Sequence, residues 1–283
     1  MKVNFNGDLL EQLPEHLQQV QRALYYGDAL FESIRVCSGV MPLFEWHWER
    51  LLGGMQLMGF EIPSWWTMDF VKREIKKITG LNARVRLTLW RAPGGLYLPE
   101  NNNFRFLITT KAMETEDYEW HSIGLKTGLC GDVRLPVDRY SGIKTLNAAR
   151  YVMAARTAAS NGWDEGVLLN AYERVSETTR SNLFWIKDGS VYTPPEIDGC
   201  LTGIARRLLL SLTLPDGNKV QEKSASPEDL LQADELFLSN AIRGIQWVKS
   251  FHEKNYNTLI SKNIHEVFQE AIRQKILLLK TEI

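Results

Sequence analysis

Residues 84–89, RVRLTL, alternate polar and apolar without a slip. That period of two puts Val85, Leu87 and Leu89 on one face of a half-buried strand. FRFLITTK (104–111) reads as its partner. A sheet with one buried face needs a covering layer, and helical periods supply it in EWHWERLLGGMQLMGF (45–60) and MDFVKREIKKIT (68–79). Earlier, ALFESIRV, then CSG, then VMPLF reads as a strand, a tight turn and a second strand. Beyond residue 124, LKTGLC, EGVLLN, ELFLSN and GIQWV read as strands, and NLFWIKDGSVYTP as a hairpin through Asp188-Gly189. Helices open at LTGIARRLLLSL and close the chain at NIHEVFQEAIRQKILLL, where Ile264, Val267, Phe268, Ala271 and Ile272 form an apolar stripe. Strands and helices intermingle, which predicts a mixed α/β (α+β) fold. The chain turns polar from about 112 to 123. The boundary falls there: an N-terminal domain over 1–115, a linker over 116–125 and a C-terminal domain over 126–283.

Composition narrows the function. A formal net charge of -1 with no basic run argues against nucleic acid and anionic membranes as partners. MKVNFNGDLLEQLPEH has no apolar core of signal-peptide length, and no apolar run is long enough to span a membrane. The 3 cysteines, Cys37, Cys130 and Cys200, are far apart, as suits reduced thiols in a cytoplasm. The histidines show no metal-ligand spacing, and His121, His252 and His265 read as ordinary surface or core residues; no metal is expected.

In DRYSGIKTLNAARYVMAARTAASNG the apolar residues recur at helical spacing from Leu146, placing Lys144 at the start of a helix. A helix start carries partial positive charge, which a lysine gains nothing from. That field disfavours the ammonium form, as a Schiff-base amine requires. Arg50 shares a helical face with His47 and is either a surface arginine or an anion ligand. CLTGIARR enters a helix with Thr202 and Gly203 just ahead of Ile204 and Ala205. Free N–H groups there can seat a phosphate, although most helix starts hold none. Ser239 and Asn240 end a strand and suit a phosphate or a turn. Glu177 is either a solvated loop carboxylate or a partner for a protonated nitrogen. Together these groups are the ones pyridoxal phosphate needs.

In order along residues 22–248, the motifs resemble the class IV aminotransferases, pyridoxal-phosphate enzymes of fold type IV. RALYYGDALFESIRV is similar to RxxxYGDGxFExxR, and HWERL to the HxxRL phosphate motif. KTLNAARYVMAARTAASNGWDEGVLLN resembles the block that holds the cofactor lysine. VSETTRSNLFWIKDGSVYTPP and GCLTGIARR are similar to the two motifs that follow it. The resemblance implies a two-domain fold like that of D-amino acid aminotransferase, the cofactor pyridoxal 5'-phosphate, a small-molecule substrate and a homodimer. By it, Lys144 carries the cofactor and shuttles the proton, and Glu177 pairs with the pyridine nitrogen. Arg50, the backbone at Ile204 and Ala205, and Ser239 or Asn240 hold the phosphate. A hydride-transfer enzyme is not indicated, since no G-x-G-x-x-G follows a strand.

The sequence departs from the family pattern in three places. Ala29 stands for a glycine and makes its turn less permissive. Ala205 lacks a hydroxyl, so only its N–H can meet the phosphate. Arg180 occupies a position usually small or neutral, where it recruits a substrate carboxylate or points to solvent. NLFW, SNAIRGIQWV and WRAPGGLYLP look more like the aminodeoxychorismate lyases than the aminotransferases. The lyase, which eliminates pyruvate from 4-amino-4-deoxychorismate to give 4-aminobenzoate for folate synthesis, is therefore the favoured member. An amino acid aminotransferase acting on branched-chain or D-amino acids with 2-oxoglutarate is the alternative, and a non-catalytic binding protein on the same fold the remote one. Phe31, Arg91, Tyr97 and Arg180 are the substrate-side candidates, with Arg91 either a carboxylate ligand or a strand-end surface arginine.

Overall fold

The computed structural model describes residues 3–5, 8–10, 12 and 14–281. The reading of the first sixteen residues as free of a leader core falls partly outside them. A short pair, β1 (Val3–Phe5) and β2 (Asp8–Leu10), precedes helices α1 (Glu15–Gln19) and α2 (Gln21–Tyr26). Then β3 (Ala29–Val36), β4 (Ala83–Arg91) and β5 (Phe104–Ala112) form an antiparallel sheet in the order β3-β4-β5. Between β3 and β4 run α3 (Phe44–Leu57) and α4 (Met68–Lys76). The alternation in β4 has the predicted outcome: Val85, Leu87 and Leu89 are buried against Leu51 and Met55 of α3 and Val71 and Ile75 of α4. Each such side chain contributes about 1.5–3 kcal/mol.

VMPLF makes no strand. Cys37 and Val40 close a single bridge, after which Pro42 and Leu43 lead straight into α3, so β3 takes β4 as its partner instead. Ala29 needs no permissive turn either. It pairs with Trp90 inside β3, and the left-handed backbone falls two residues earlier, at Gly27 (φ 62°). A Cβ at Gly27 would also lie 2.4 Å from Asn147 Oδ1.

The remaining chain builds a larger sheet. Its strands are β6 (Leu125–Leu135), β7 (Glu165–Asn170), β8 (Val175–Thr178), β9 (Asn182–Lys187), β10 (Ser190–Thr193), β11 (Gln221–Glu222), β12 (Glu235–Asn240), β13 (Gly244–Phe251) and β14 (Lys254–Asn255). The order is β11-β10-β9-β12-β13-β6-β7-β8, with β14 on β13. Pairing is mixed: β6 is parallel to β7 and β13, whereas β12 is antiparallel to β9 and β13. The sheet curls into a half-barrel. Helices α5 (Ala149–Ser160), α6 (Ile204–Ser211), α7 (Pro227–Gln232) and α8 (Leu259–Thr281) accompany it. The α8 stripe is seated by Ile264, Phe268 and Ile272, packed with the stacked rings of Phe184 and Phe237. Among the described residues no helix is long and apolar enough to cross a membrane.

Among the contacts that bring the sheets together, two are made by β3 itself. Arg35 of β3 donates to the carbonyls of Asp117 (2.5 Å) and Ile242 (2.5 Å) and lies 4.1 Å over the Tyr118 ring. The backbone of 144–146 pairs with β3, Phe31 N–H donating to Lys144 O (2.9 Å) and Leu146 N–H to Ala29 O (3.0 Å). This second contact corrects the helix start. Residues held in a strand-like bridge cannot also be helical, so α5 begins at Ala149 rather than near Leu146.

Candidate active site

A cavity of about 1150 Å3 opens between the two sheets. One wall is the face of the small sheet opposite its core: Phe31 and Ser33 of β3 with Arg84 and Arg86 of β4. Strand alternation puts these residues on the side away from Leu30, Ile34, Val85 and Leu87. Arg86 lies 3.9 Å over the Phe31 ring and donates to Thr88 Oγ1 (3.3 Å). Among the described residues neither Arg84 nor Arg86 forms an ion pair with a carboxylate.

Lys144 enters the cavity from its bridge to β3, with Nζ 4.7 Å over the Phe31 ring. Burial, assisted by Arg50, lowers its pKa from 10.5 to about 8 against the opposing pull of Glu32 and Glu177. The lowered basicity expected from the sequence is therefore present, but its cause is different. Lys144 stands five residues ahead of α5, beyond reach of the helix field, and desolvation does the work.

Glu177 projects into the same cavity from β8, although only 4% exposed. It is not a solvated loop carboxylate. Oε1 accepts the Tyr151 hydroxyl (2.5 Å) and Oε2 the Leu201 N–H (3.1 Å). Burial pushes its carboxyl up, while Tyr151, the Leu201 N–H, Lys144 and Arg50 pull it down.

Arg50 is no surface arginine. On α3 it sits one turn from His47, and both reach Glu32. Arg50 Nε and Nη2 donate to the two Glu32 oxygens (2.8 and 2.6 Å), and Nη1 to Thr202 O (2.7 Å). Burial alone would raise the Glu32 carboxyl, but Arg50 and His47 together hold it at about 2. Thr202 leads into α6, whose N-cap is Gly203, so no capping side chain occupies the first N–H groups. Gly203 is required by crowding: a Cβ there would lie 1.8 Å from Asn182 Oδ1. Ile204 lines the cavity and Ala205 is buried one residue further along the helix. Ser239 Oγ is buried with no hydrogen-bond partner, and Asn240 donates to Ser181 Oγ (3.0 Å). Guanidinium, free helix N–H groups and an orphaned hydroxyl make an anion seat, so the donor set fits a phosphate.

Of the substrate-side candidates, Phe31 and Arg180 line the cavity. Arg180 is largely exposed and donates to Asp164 O (2.8 Å). Arg91 does not line it. Its guanidinium is buried over the Phe60 ring and donates to Asp28 Oδ2 (2.8 Å), Asn102 Oδ1 (2.8 Å) and Met58 O (2.6 Å). It ties the end of β4 to its neighbours. Tyr97 is 89% exposed, tilted against Tyr26 on the loop between β4 and β5, and also lies outside the cavity.

The sequence reading missed Glu32, Arg84, Arg86, Glu165 and Tyr151. Glu32 left a signal, a lone charge between Leu30 and Ile34 on the buried side of β3. Arg84 and Arg86 left one too, being the polar half of the β4 alternation. Glu165, which accepts from Thr178 Oγ1 (2.6 Å) and Ser181 Oγ (3.1 Å), and Tyr151 had no local signal.

The family model described as amino-transferase class IV matches residues 29–251. A candidate branched-chain-amino-acid aminotransferase of Methanocaldococcus jannaschii is 30% identical over 97% of both chains. The aminodeoxychorismate lyase of Vibrio harveyi is 28% identical over 82% of this chain and 87% of its own. Among solved structures, an aminotransferase from Brucella abortus bound to the cofactor PLP superposes with a TM-score of 0.80 at 21% identity, covering 95% of this chain and 98% of that one. Since the family match runs from the first residue of β3 to the last of β13, through both walls of the cavity, the chain belongs to the class IV aminotransferases.

Proposed function

We propose that this chain is a pyridoxal-phosphate enzyme that eliminates pyruvate from 4-amino-4-deoxychorismate, leaving 4-aminobenzoate. The residues fit the cofactor. Arg50, the N–H groups of Ile204 and Ala205, Ser239 and Asn240 would hold its phosphate, Glu177 would hold a proton on its ring nitrogen, and Lys144 would carry it. When bound, the cofactor supplies a ring that accepts negative charge developing beside the substrate amine. Lys144, with basicity lowered toward neutrality, takes and returns the substrate proton. Exposed Leu96, Tyr97 and Leu98 support a homodimer, whose mass light scattering reads directly. Buried thiols at Cys37, Cys130 and Cys200 suit a cytoplasm.

The lyase reading is carried by the cavity wall of Arg84 and Arg86, two guanidinium groups with no carboxylate ion-pair partner among the described residues. A substrate with a ring carboxylate and an enolpyruvyl carboxylate needs more than one cation beyond the phosphate seat, and this pair replaces Arg91 in that role. A second reading, transamination of branched-chain amino acids, is favoured by the 30% identity to the archaeal relative. It would press an aliphatic side chain against that charged wall, desolvating guanidinium without a partner.

The purified protein should therefore release 4-aminobenzoate from 4-amino-4-deoxychorismate, and Arg86→Ala should lower kcat/KM for that reaction by about tenfold to a hundredfold. Transamination of a branched-chain or D-amino acid with 2-oxoglutarate at tens of turnovers per second or so, without 4-aminobenzoate, would establish the second reading instead.

The Lys144 amine gives a pH signature. Burial favours its neutral form, so the reactive fraction grows as pH rises through about 8. Capture of pyridoxal phosphate by the cofactor-free protein, followed by stopped-flow absorbance, should accelerate about tenfold per pH unit below that point and level off above it. A rate still climbing at pH 10, as for an ordinary lysine, contradicts the assignment.

A further inference from the structure

We propose that Tyr151 is a positioning residue that clamps the Glu177 carboxylate and, through it, keeps a proton on the cofactor's ring nitrogen. The inference rests on the pyridoxal-phosphate reading above. Its basis is a carboxylate gripped from two elements. Glu177 Oε1 accepts the Tyr151 hydroxyl from the first turn of α5, and Oε2 accepts the Leu201 N–H from the loop ahead of α6. With one donor fixed on each oxygen the group is held in place, and a second acceptor site on each oxygen remains for a donor in the cavity that Lys144, Tyr151 and Glu177 share.

The chemistry follows from where the shared proton rests. Burial favours a neutral carboxyl, and a neutral Glu177 would leave the ring nitrogen without its counter-charge. A hydroxyl hydrogen bond stabilises the anion, so the proton stays on nitrogen and the ring remains the stronger electron sink. Tyr151 suits the task because burial and the adjacent carboxylate keep its phenol protonated, always a donor. The charged groups acting on Glu177 from other elements are Lys144 and Arg50; both favour the anion but neither is hydrogen-bonded to it.

A packing role is the competing account, since Tyr151 packs against the apolar cluster that contains Cys130, Val133 and Leu135. Tyr151→Phe keeps the ring and removes only the hydroxyl. With isotope-labelled cofactor, nitrogen NMR should show the ring nitrogen moving toward its unprotonated position in Tyr151→Phe. Turnover should fall about tenfold at unchanged KM, taking one charge-assisted hydrogen bond as the loss. In a Glu177→Gln background the same substitution should change neither quantity further, because it acts only through Glu177. An unchanged nitrogen resonance, or an equal loss of turnover in both backgrounds, overturns the proposal. The cofactor-free protein judges the clamp independently. Carbon NMR of the Glu177 carboxyl should show its titration midpoint rising when the hydroxyl is removed, and an unmoved midpoint refutes the clamp. Failure of wild-type protein to take up the cofactor would instead refute the pyridoxal-phosphate reading, with the carbon titration still deciding on Tyr151.

Discussion

Lys144→Ala is expected to lower turnover by at least about a thousandfold, the scale on which a positioned base contributes, while leaving the fold and non-covalent cofactor binding in place. The fold should survive because Lys144 is attached to β3 by its backbone: Phe31 donates to Lys144 O and Leu146 to Ala29 O, neither through a side chain. Losing a buried amine flanked by Arg50 and Arg86 also removes a like-charge repulsion. Borohydride reduction of the wild type should fix the cofactor to the one peptide containing Lys144. Recovery on any other lysine, or ordinary turnover by the variant, would remove Lys144 from the centre of the mechanism.

Arg50→Ala is expected to weaken cofactor affinity by about a hundredfold, the loss of a charge-assisted contact to the phosphate, and to destabilise the protein as well. Arg50 joins β3 to the loop ahead of α6 by holding Glu32 with one edge of its guanidinium and Thr202 O with the other. Without it Glu32 remains buried with His47 alone, and breaking a buried pair costs about 3–5 kcal/mol. The pH dependence has a definite sign. The folded-state carboxyl lies at about 2, below its ordinary 4.5, so the stabilisation is fully present above 4.5 and is lost as pH falls toward 2. In the variant that loss should begin at higher pH. Adding Glu32→Gln to Arg50→Ala should restore melting temperature without restoring affinity, since it removes the stranded charge but supplies no phosphate ligand. Unchanged affinity in Arg50→Ala would leave the arginine a purely structural tie.

Local pattern carried much of the fold. The β4 alternation, the Asp188-Gly189 hairpin and the α8 stripe are each decided by neighbours in sequence, and each has the predicted form. The two element errors share one cause. VMPLF and the stretch after Lys144 both have acceptable local patterns, but β3 pairs with the distant β4 instead of with VMPLF, and the backbone of 144–146 is bonded to the distant β3 instead of starting the helix. Propensity counts only what is near in sequence.

The same division runs through the site. By itself the sequence determined which chemistry is available: an amine at 144, a carboxylate at 177 and a guanidinium at 50, each in a stretch whose order resembles one family. Residue identity is local information, and five motifs in order fix it. Only the tertiary structure decided what those groups experience. It assigned the low basicity of Lys144 to burial rather than to a helix end, placed Arg91 outside the cavity lining, and turned Arg84 and Arg86 toward the cavity. It also seated Glu177 between Tyr151 and Leu201. The physical reason is that desolvation and hydrogen bonding act through space. The partners that set them, such as Arg50 and Thr202, lie 152 residues apart along the chain and 2.7 Å apart in the fold.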